Sequence, residues 1–204
     1  GDVIAKGGFF DGRIDINGLA LENTSARNGI GDIHFQAYRL GIDQYFTMEA
    51  PFARMSASGE RGFYNLPADL QYLTARKELP ALYSLSDAAE DRNCGHYDFR
   101  LETGDSRKLC SFLLPGLFIA EGSSAEMEIG DNGDMYFNVD SPLLAYGNNF
   151  LRSANLSLDN FDDALRLLLE GENIRLNHLD MSRPRINLSA DSNNFALGLN
   201  FERV

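Results

Sequence analysis

Tryptophan is absent from this chain, histidine occurs three times and cysteine twice among 204 residues. Each scarcity removes a class of function. His34, His96 and His178 lie far apart beside strand or turn residues and read as structural. No imidazole cluster is offered for acid–base work or for a metal. Cys94 and Cys110 form no CxxC pair and no Cys/His ligand spacing, so no metal or other cofactor is expected. Paired in an oxidising compartment, they would close a loop worth ~3 kcal/mol. Spacing alone does not bring their Cβ atoms together, and two free thiols are the expected state.

Basic residues are the next deficit, with 18 Lys and Arg against 30 Asp and Glu and a net charge of −12. Phosphate contacts need clustered cations, so nucleic acid is not an expected partner. Charge-driven adsorption to anionic lipid is disfavoured for the same reason. The acidity reads as solubility. No apolar run approaches the ~18 residues of a spanning helix, and no signal-peptide pattern opens the chain. Gly1-Asp2-Val3 reads as the start of an excised piece, so the missing leader assigns no compartment.

Catalytic and ligand motifs are missing too. Asp131-Asn132-Gly133-Asp134 resembles part of a calcium loop but has no bidentate Glu at the required spacing. Gly29-Ile30-Gly31 lacks the strand–turn–helix setting of a phosphate loop. Ser123 and Ser124 follow Gly122 without a nucleophile elbow. Nothing in these residues asks for an enzyme.

Alternation is what the chain has in plenty. Near its end come Ala154-Asn155-Leu156-Ser157-Leu158, Leu165-Arg166-Leu167-Leu168-Leu169, Ile186-Asn187-Leu188-Ser189-Ala190 and Phe195-Ala196-Leu197-Gly198-Leu199-Asn200-Phe201. A period of two sends Leu, Ile and Phe to one face of a sheet and Asn155, Ser157, Asn187, Ser189, Asn200 and Glu202 to the other. Further strands are expected at 13–16, 19–21, 33–37, 45–48, 52–58, 97–101, 124–129, 135–139, 143–146 and 174–181, with Pro51 at an edge or bulge. Asn23 to Gly31 reads as a turn, Asn28-Gly29 especially. Turns are also expected at Asp131-Asn132-Gly133 and Gly147-Asn148-Asn149. Connections this short force antiparallel neighbours.

Between Leu66 and Ala89 the leucine spacing turns helical, with Asn65 as cap, Pro67 in the first turn and Pro80 as a break. A second short helix, capped by Asp105, would end at Pro115-Gly116. The expected fold is mainly β, a long antiparallel meander, curved or folded over (β-taco-like) with an apolar concave face. Short helices fall around 66–89 and 105–114. Residues 1–62 supply N-terminal strands, 63–95 a partly helical insertion, and 96–204 a meander continuous with the first strands as one domain.

A family resemblance is carried by Leu113-Leu114-Pro115-Gly116-Leu117-Phe118-Ile119-Ala120-Glu121-Gly122-Ser123 and by Ser141-Pro142-Leu143-Leu144-Ala145-Tyr146-Gly147-Asn148-Asn149. The steps Asn155-Leu156-Ser157-Leu158 and Ile174-Arg175-Leu176-Asn177 follow in order. Over roughly Tyr97 to Phe201 the chain resembles the periplasmic body of TamB-type proteins of Bacteroidetes, in the wider AsmA-like group. No counterpart to Leu66–Asn93 is found there. The resemblance implies a fragment of a long periplasmic protein, anchored in the inner membrane by a helix outside this sequence. It implies an apolar groove carrying phospholipid between the membranes, aid to outer-membrane protein assembly, and a barrel partner met by regions outside this sequence.

Under that resemblance Leu156, Leu158, Leu165, Leu167, Leu169, Ile174, Leu176, Ile186, Leu188, Leu197, Leu199 and Phe201 would line the groove and meet acyl chains. The same residues would otherwise close a core against a second sheet or a helix. Such exposed apolar surface also leads to an expectation of self-association of the isolated piece.

Three other readings compete with it. One is a periplasmic or surface β-sandwich that binds a glycan or protein through Tyr38, Tyr45, Phe46, Tyr64, Tyr72 and Tyr83, although the lack of Trp weakens a glycan site. Part of an outer-membrane barrel is the second, against which Tyr and Phe are not placed at strand ends. An enzyme is the third, with no site to support it.

Overall fold

A computed structural model describes residues 3–6, 9–22, 27–78, 94–191 and 194–203. Its strands are β1 (Val3–Lys6), β2 (Phe9–Glu22), β3 (Arg27–Leu40), β4 (Asp43–Ala50) and β5 (Ala53–Gly59), then helix α1 (Leu66–Glu78). After β6 (Tyr97–Thr103) come helix α2 (Arg107–Leu113), β7 (Leu117–Ile119), β8 (Ser124–Ile129), β9 (Met135–Tyr146) and β10 (Asn149–Asp159). The last four are β11 (Leu165–Glu170), β12 (Asn173–Leu176), β13 (Leu179–Asp191) and β14 (Asn194–Arg203). The protein is mainly β, and these strands form one 14-stranded sheet whose pairings are all antiparallel.

The topology is an up-and-down meander once two split strands are recognised. β7 and β8 both pair with β9, while β11 and β12 lie together between β10 and β13. The stretch between β5 and β6 leaves the ladder intact, since Ala57 still sits opposite Phe99. The strands before and after it belong to one sheet.

Several local expectations are corrected. Pro51 with Phe52 forms the β4–β5 turn and is no strand edge or bulge; a missing N–H costs nothing at a reversal. Asn28-Gly29 lies inside β3, opposite Leu21 and Ala20. Residues 135–146 are one strand rather than two, and 174–181 are two strands around Asn177, whose φ is 55°. Positive φ suits Asn, so the turn chemistry sat in the middle of an apparent strand. Of the helix placed at 66–89, α1 occupies 66–78, and 79–93 with Pro80 and Tyr83 lie outside the described residues. α2 starts after Ser106, one residue beyond Asp105, whose carboxylate accepts from Arg107 N–H at 3.3 Å.

The closed core lies at one end of one sheet face. Leu73 of α1 packs with Cys94, Tyr97, Ile129, Met135, Leu165 and Ala190. Tyr97 donates to Asp69 Oδ2 at 2.8 Å, and Arg61 Nη1 stands 3.4 Å from Asp69 Oδ1, so this buried carboxylate is partnered on both oxygens. Burial, then the Asp69 hydrogen bond, pushes the Tyr97 hydroxyl well above its ordinary pKa and keeps it a donor. Asn160, fully buried just after β10, accepts from Met135 N–H at 2.6 Å and donates to Gly133 O at 3.0 Å, tying the β8–β9 turn to the connection between β10 and β11. α2 sits beyond the β4–β5 turn, where Gly104 and Asp105 N–H donate to Phe52 and Pro51 carbonyls. Both thiols are free and buried, Cys94 in this core and Cys110 on α2.

Candidate functional site

Residues directly opposite in an antiparallel pair share a face, so register reads out whole rows across the sheet. One row runs Ile14, Phe35, Met48, Met55, Leu101, Ala125, Val139, Leu156, Leu169, Ile186 and Leu199. Two residues along each strand a second row runs Gly12, Ala37, Phe46, Ala57, Phe99, Met127, Phe137, Leu158, Leu167, Leu188 and Leu197. Neither row contains a polar side chain. On the other face the row between them is Arg13, Gln36, Thr47, Ser56, Arg100, Glu126, Asn138, Ser157, Leu168, Asn187 and Gly198, with Leu168 its one apolar side chain. The row flanking the first is Asp15, His34, Glu49, Arg54, Glu102, Ser124, Asp140, Asn155, Glu170, Arg185 and Asn200, without an apolar member. The alternation legible in the last strands therefore spans the sheet from β2 to β14.

Burial separates this face into two kinds of surface. Beside α1, Ile129, Met135 and Ala190 are at most 1% exposed. In the two rows, from Phe35 to Ile186 and from Ala37 to Leu188, side chains are half-buried, apart from buried Ala57 and Met127. Sheet neighbours flank them, and they reach neither the closure of a core nor full solvent. Leu165 departs from the expected lining. It is 7% exposed and belongs to the core under α1. On β14, Phe195, Leu197, Leu199 and Phe201 are 57–64% exposed.

A seam crosses the second half of the sheet. Ser153 and Arg183 take φ of 48° and 46°, Pro142 and Pro184 stand in β9 and β13, and the neighbouring strands break at 120–123 and 171–172. Proline fits where the ladder is already interrupted. Carbonyls at the seam are satisfied irregularly: Gly171 N–H donates to Pro184 O, Arg183 N–H to Glu172 O and Ala120 N–H to Leu143 O. A Cβ on Gly171 would lie 2.7 Å from Leu151 Cδ1 and 3.5 Å from Pro184 Cγ, so Leu151 shares the face of Gly171 and Leu169. The face positions thus step by three at the seam, Leu156–Ala154–Leu151 on β10 and Leu169–Gly171–Ile174 along β11 and β12. Beyond it Ile119, Leu144, Leu151, Ile174 and Met181 form one more apolar row. Leu117, Ile119, Leu144, Leu151, Ile174 and Leu176 together line a shallow apolar pocket there.

All twelve expected lining residues lie on this face, eleven of them outside the core under α1. Leu156, Leu169, Ile186 and Leu199 share the first row, and Leu158, Leu167, Leu188 and Leu197 the second. Ile174 and Leu176 lie past the seam, and Phe201 follows Leu199 on β14. The N-terminal part of the same rows went unpredicted. Its signal was present in Met48, Met55 and Phe99, but Phe46 and Tyr45 adjoin on opposite faces and blur the period.

The polar face carries short-range ion pairs. His34 Nδ1 is 2.6 Å and Arg13 Nε 2.9 Å from the Asp15 carboxylate, while Arg185 pairs with Glu170 at 3.3 Å. The Arg13 hydrogen bond first, then that from His34, holds Asp15 below the usual carboxylate range. Glu60, His96 and Asp131 place their polar atoms within 4.8 Å of one another, a spacing a metal would accept. Both His96 nitrogens already face carboxylates, Asp43 at 3.1 Å and Asp131 at 3.3 Å, and Asp131 is 80% exposed, so an ion-pair cluster explains the group. Of the aromatics proposed for a binding module, Tyr38 and Tyr45 stack at 5.1 Å on the polar side, Phe46 lies in the apolar row, and Tyr64 stands exposed before α1. They do not converge on one site. Compared with known proteins, the chain matches no family model, no curated protein and no solved structure.

Proposed function

We propose that the apolar face lines a path for phospholipid acyl chains, as a segment of a periplasmic bridge-like protein that carries lipid between membranes or aids outer-membrane protein assembly. The carrying observation is the pair of uninterrupted apolar rows from β2 to β14, without one polar side chain and mostly half-buried between β3 and β13. An acyl chain laid across the strands meets interchangeable Leu, Ile, Met and Phe at each one. Burying it fully is worth up to ~0.8 kcal/mol per methylene, so a snug closed pocket would hold lipid too tightly to release it. A half-open face with no polar hook lets it slide. The resemblance of the Pro115-Gly116 and Ser141-Pro142 segments to TamB-type proteins supports the same reading.

Photo-crosslinking tests it. A photoreactive residue at Leu167 or Leu188 is expected to capture phospholipid from membranes or vesicles, and one at Asn187 or Ser189 on the opposite face is not. Equal labelling of both faces, or labelling of neither, overturns the proposal.

A further inference from the structure

Four neighbouring strands end together beside the helix-covered core, and their register gathers a polar cluster there. Gln44, Gly59, Tyr97 and Ile129 stand opposite one another in β4, β5, β6 and β8. One residue further come Asp43, Glu60 and His96, and Glu60 N–H donates to His96 O at 3.1 Å, carrying the ladder a step beyond β5. Asp131 lies two residues past Ile129, in a turn held by Gly130 N–H on Asp134 O and by Asp134 N–H on Asn132 Oδ1. The ends of an ordered ladder thus meet around the His96 ring. Glycine makes the room, since a Cβ on Gly95, whose φ is 65°, would lie 3.0 Å from Glu60 Oε2.

The two nitrogens of that ring face different partners. Nε2 stands 3.1 Å from Asp43 Oδ1, which among the described residues is the one buried side-chain oxygen or nitrogen without an aligned hydrogen bond. Nδ1 stands 3.3 Å from Asp131 Oδ1, and Glu60 brings a further oxygen to the same group. An imidazolium serves both sides as an ion pair. A neutral ring has one N–H for two carboxylates, and a cation on Nδ1 resolves the choice, because Nε2–H then donates to Asp43. We propose that Glu60, His96 and Asp131 ligate one divalent cation of the zinc type, with Asp43 orienting the imidazole from behind. A carboxylate behind the ring is the usual way a ligating histidine is held. Tetrahedral bonds of about 2.0–2.2 Å set ligand atoms about 3.3–3.6 Å apart. Nδ1 and Asp131 Oδ1 already stand at 3.3 Å. An imidazole nitrogen beside two carboxylates favours Zn2+ over Ca2+ or Mg2+, which take oxygen ligands. Asp131 is 80% exposed, so the fourth position is open to water. Bound there, the cation ties the β8–β9 turn, whose Gly133 adjoins Leu73 of the core, to the ends of β5 and β6.

Calorimetric titration of the whole chain with ZnCl2 is expected to show one saturable site, and the thermal midpoint is expected to rise with added Zn2+. H96A should abolish the site. D43N, which touches only the orienting carboxylate, should weaken it about 10–100-fold. H34A and C94A should leave the affinity unchanged. Long-range 1H–15N correlation of the histidine rings reads the wild type directly, without a variant that must fold. Zn2+ is expected to shift His96 Nδ1 while Nε2 keeps its proton. No saturable site, a shift at Nε2 or at His34 or His178 instead, equal affinity for Ca2+, full affinity in H96A, or loss of binding in C94A overturns the inference. The site does not depend on lipid. Zinc binding without lipid capture refutes the conduit alone, and lipid capture without zinc binding refutes the metal site alone.

Discussion

Leu165 and Leu167 are two residues apart on one strand and one face, yet they do different work. Leu165 is 7% exposed beneath α1, while Leu167 stands half-buried in the open row. The difference is the helix. Where α1 covers the sheet, leucine is a core residue, and beyond it the same residue type is surface with only sheet neighbours. Face and period are thus set by the strand, and role by what lies over it.

Substitutions that keep the backbone unchanged can break this contrast. The largest effect is expected from Leu73→Ala, which opens a cavity in the covered core and should cost about 2–5 kcal/mol in a urea titration. Tyr97→Phe comes next, at about 1–3 kcal/mol, because Asp69 Oδ2 loses its donor inside the same core. Leu188→Ala in the open row should cost only about 1 kcal/mol, since half-burial realises part of the ~1.5–3 kcal/mol of a full one. If the open row proved as costly as the core, a cover over it would have to exist.

The smallest effect concerns pH. Arg107, hydrogen-bonded to Asp105, holds that carboxyl down to about 2. A depressed carboxylate contributes stability above its unfolded pKa of ~3.9 and loses it as pH falls through the folded value. Asp105→Asn should therefore flatten the acid limb between about pH 4 and 2 and leave neutral stability nearly unchanged, because the pair is exposed to solvent.

Most of the sheet was legible because alternation is local. Leu156-Ser157-Leu158 and Leu197-Gly198-Leu199 announce their faces without help from the rest of the chain. The closing of Leu165 was not, since it depends on α1, ninety residues away in sequence, lying over that strand's end. The turn at Asn177 was hidden for a local reason: Asn177-His178 is a two-residue reversal without glycine, and its neighbours Leu176 and Leu179 are as apolar as a strand interior. The rows in β2 to β6 needed register as well as pattern, because Met, Ala and Phe there differ too much in size to look like one repeat.

The seam at Pro142, Ser153 and Pro184 gives the sheet something like a reading frame. Each strand counts its residues in twos, apolar then polar, and there each takes three steps together with its neighbours. Deleting Ser153 alone would put the far half of β10 out of frame. Leu151 would turn to the polar face while Leu144 and Ile174 beside it stayed behind. In such a sheet insertions and deletions are tolerated only when neighbouring strands change together, so its length along the strands is inherited as a block, whereas strands themselves can be added one by one.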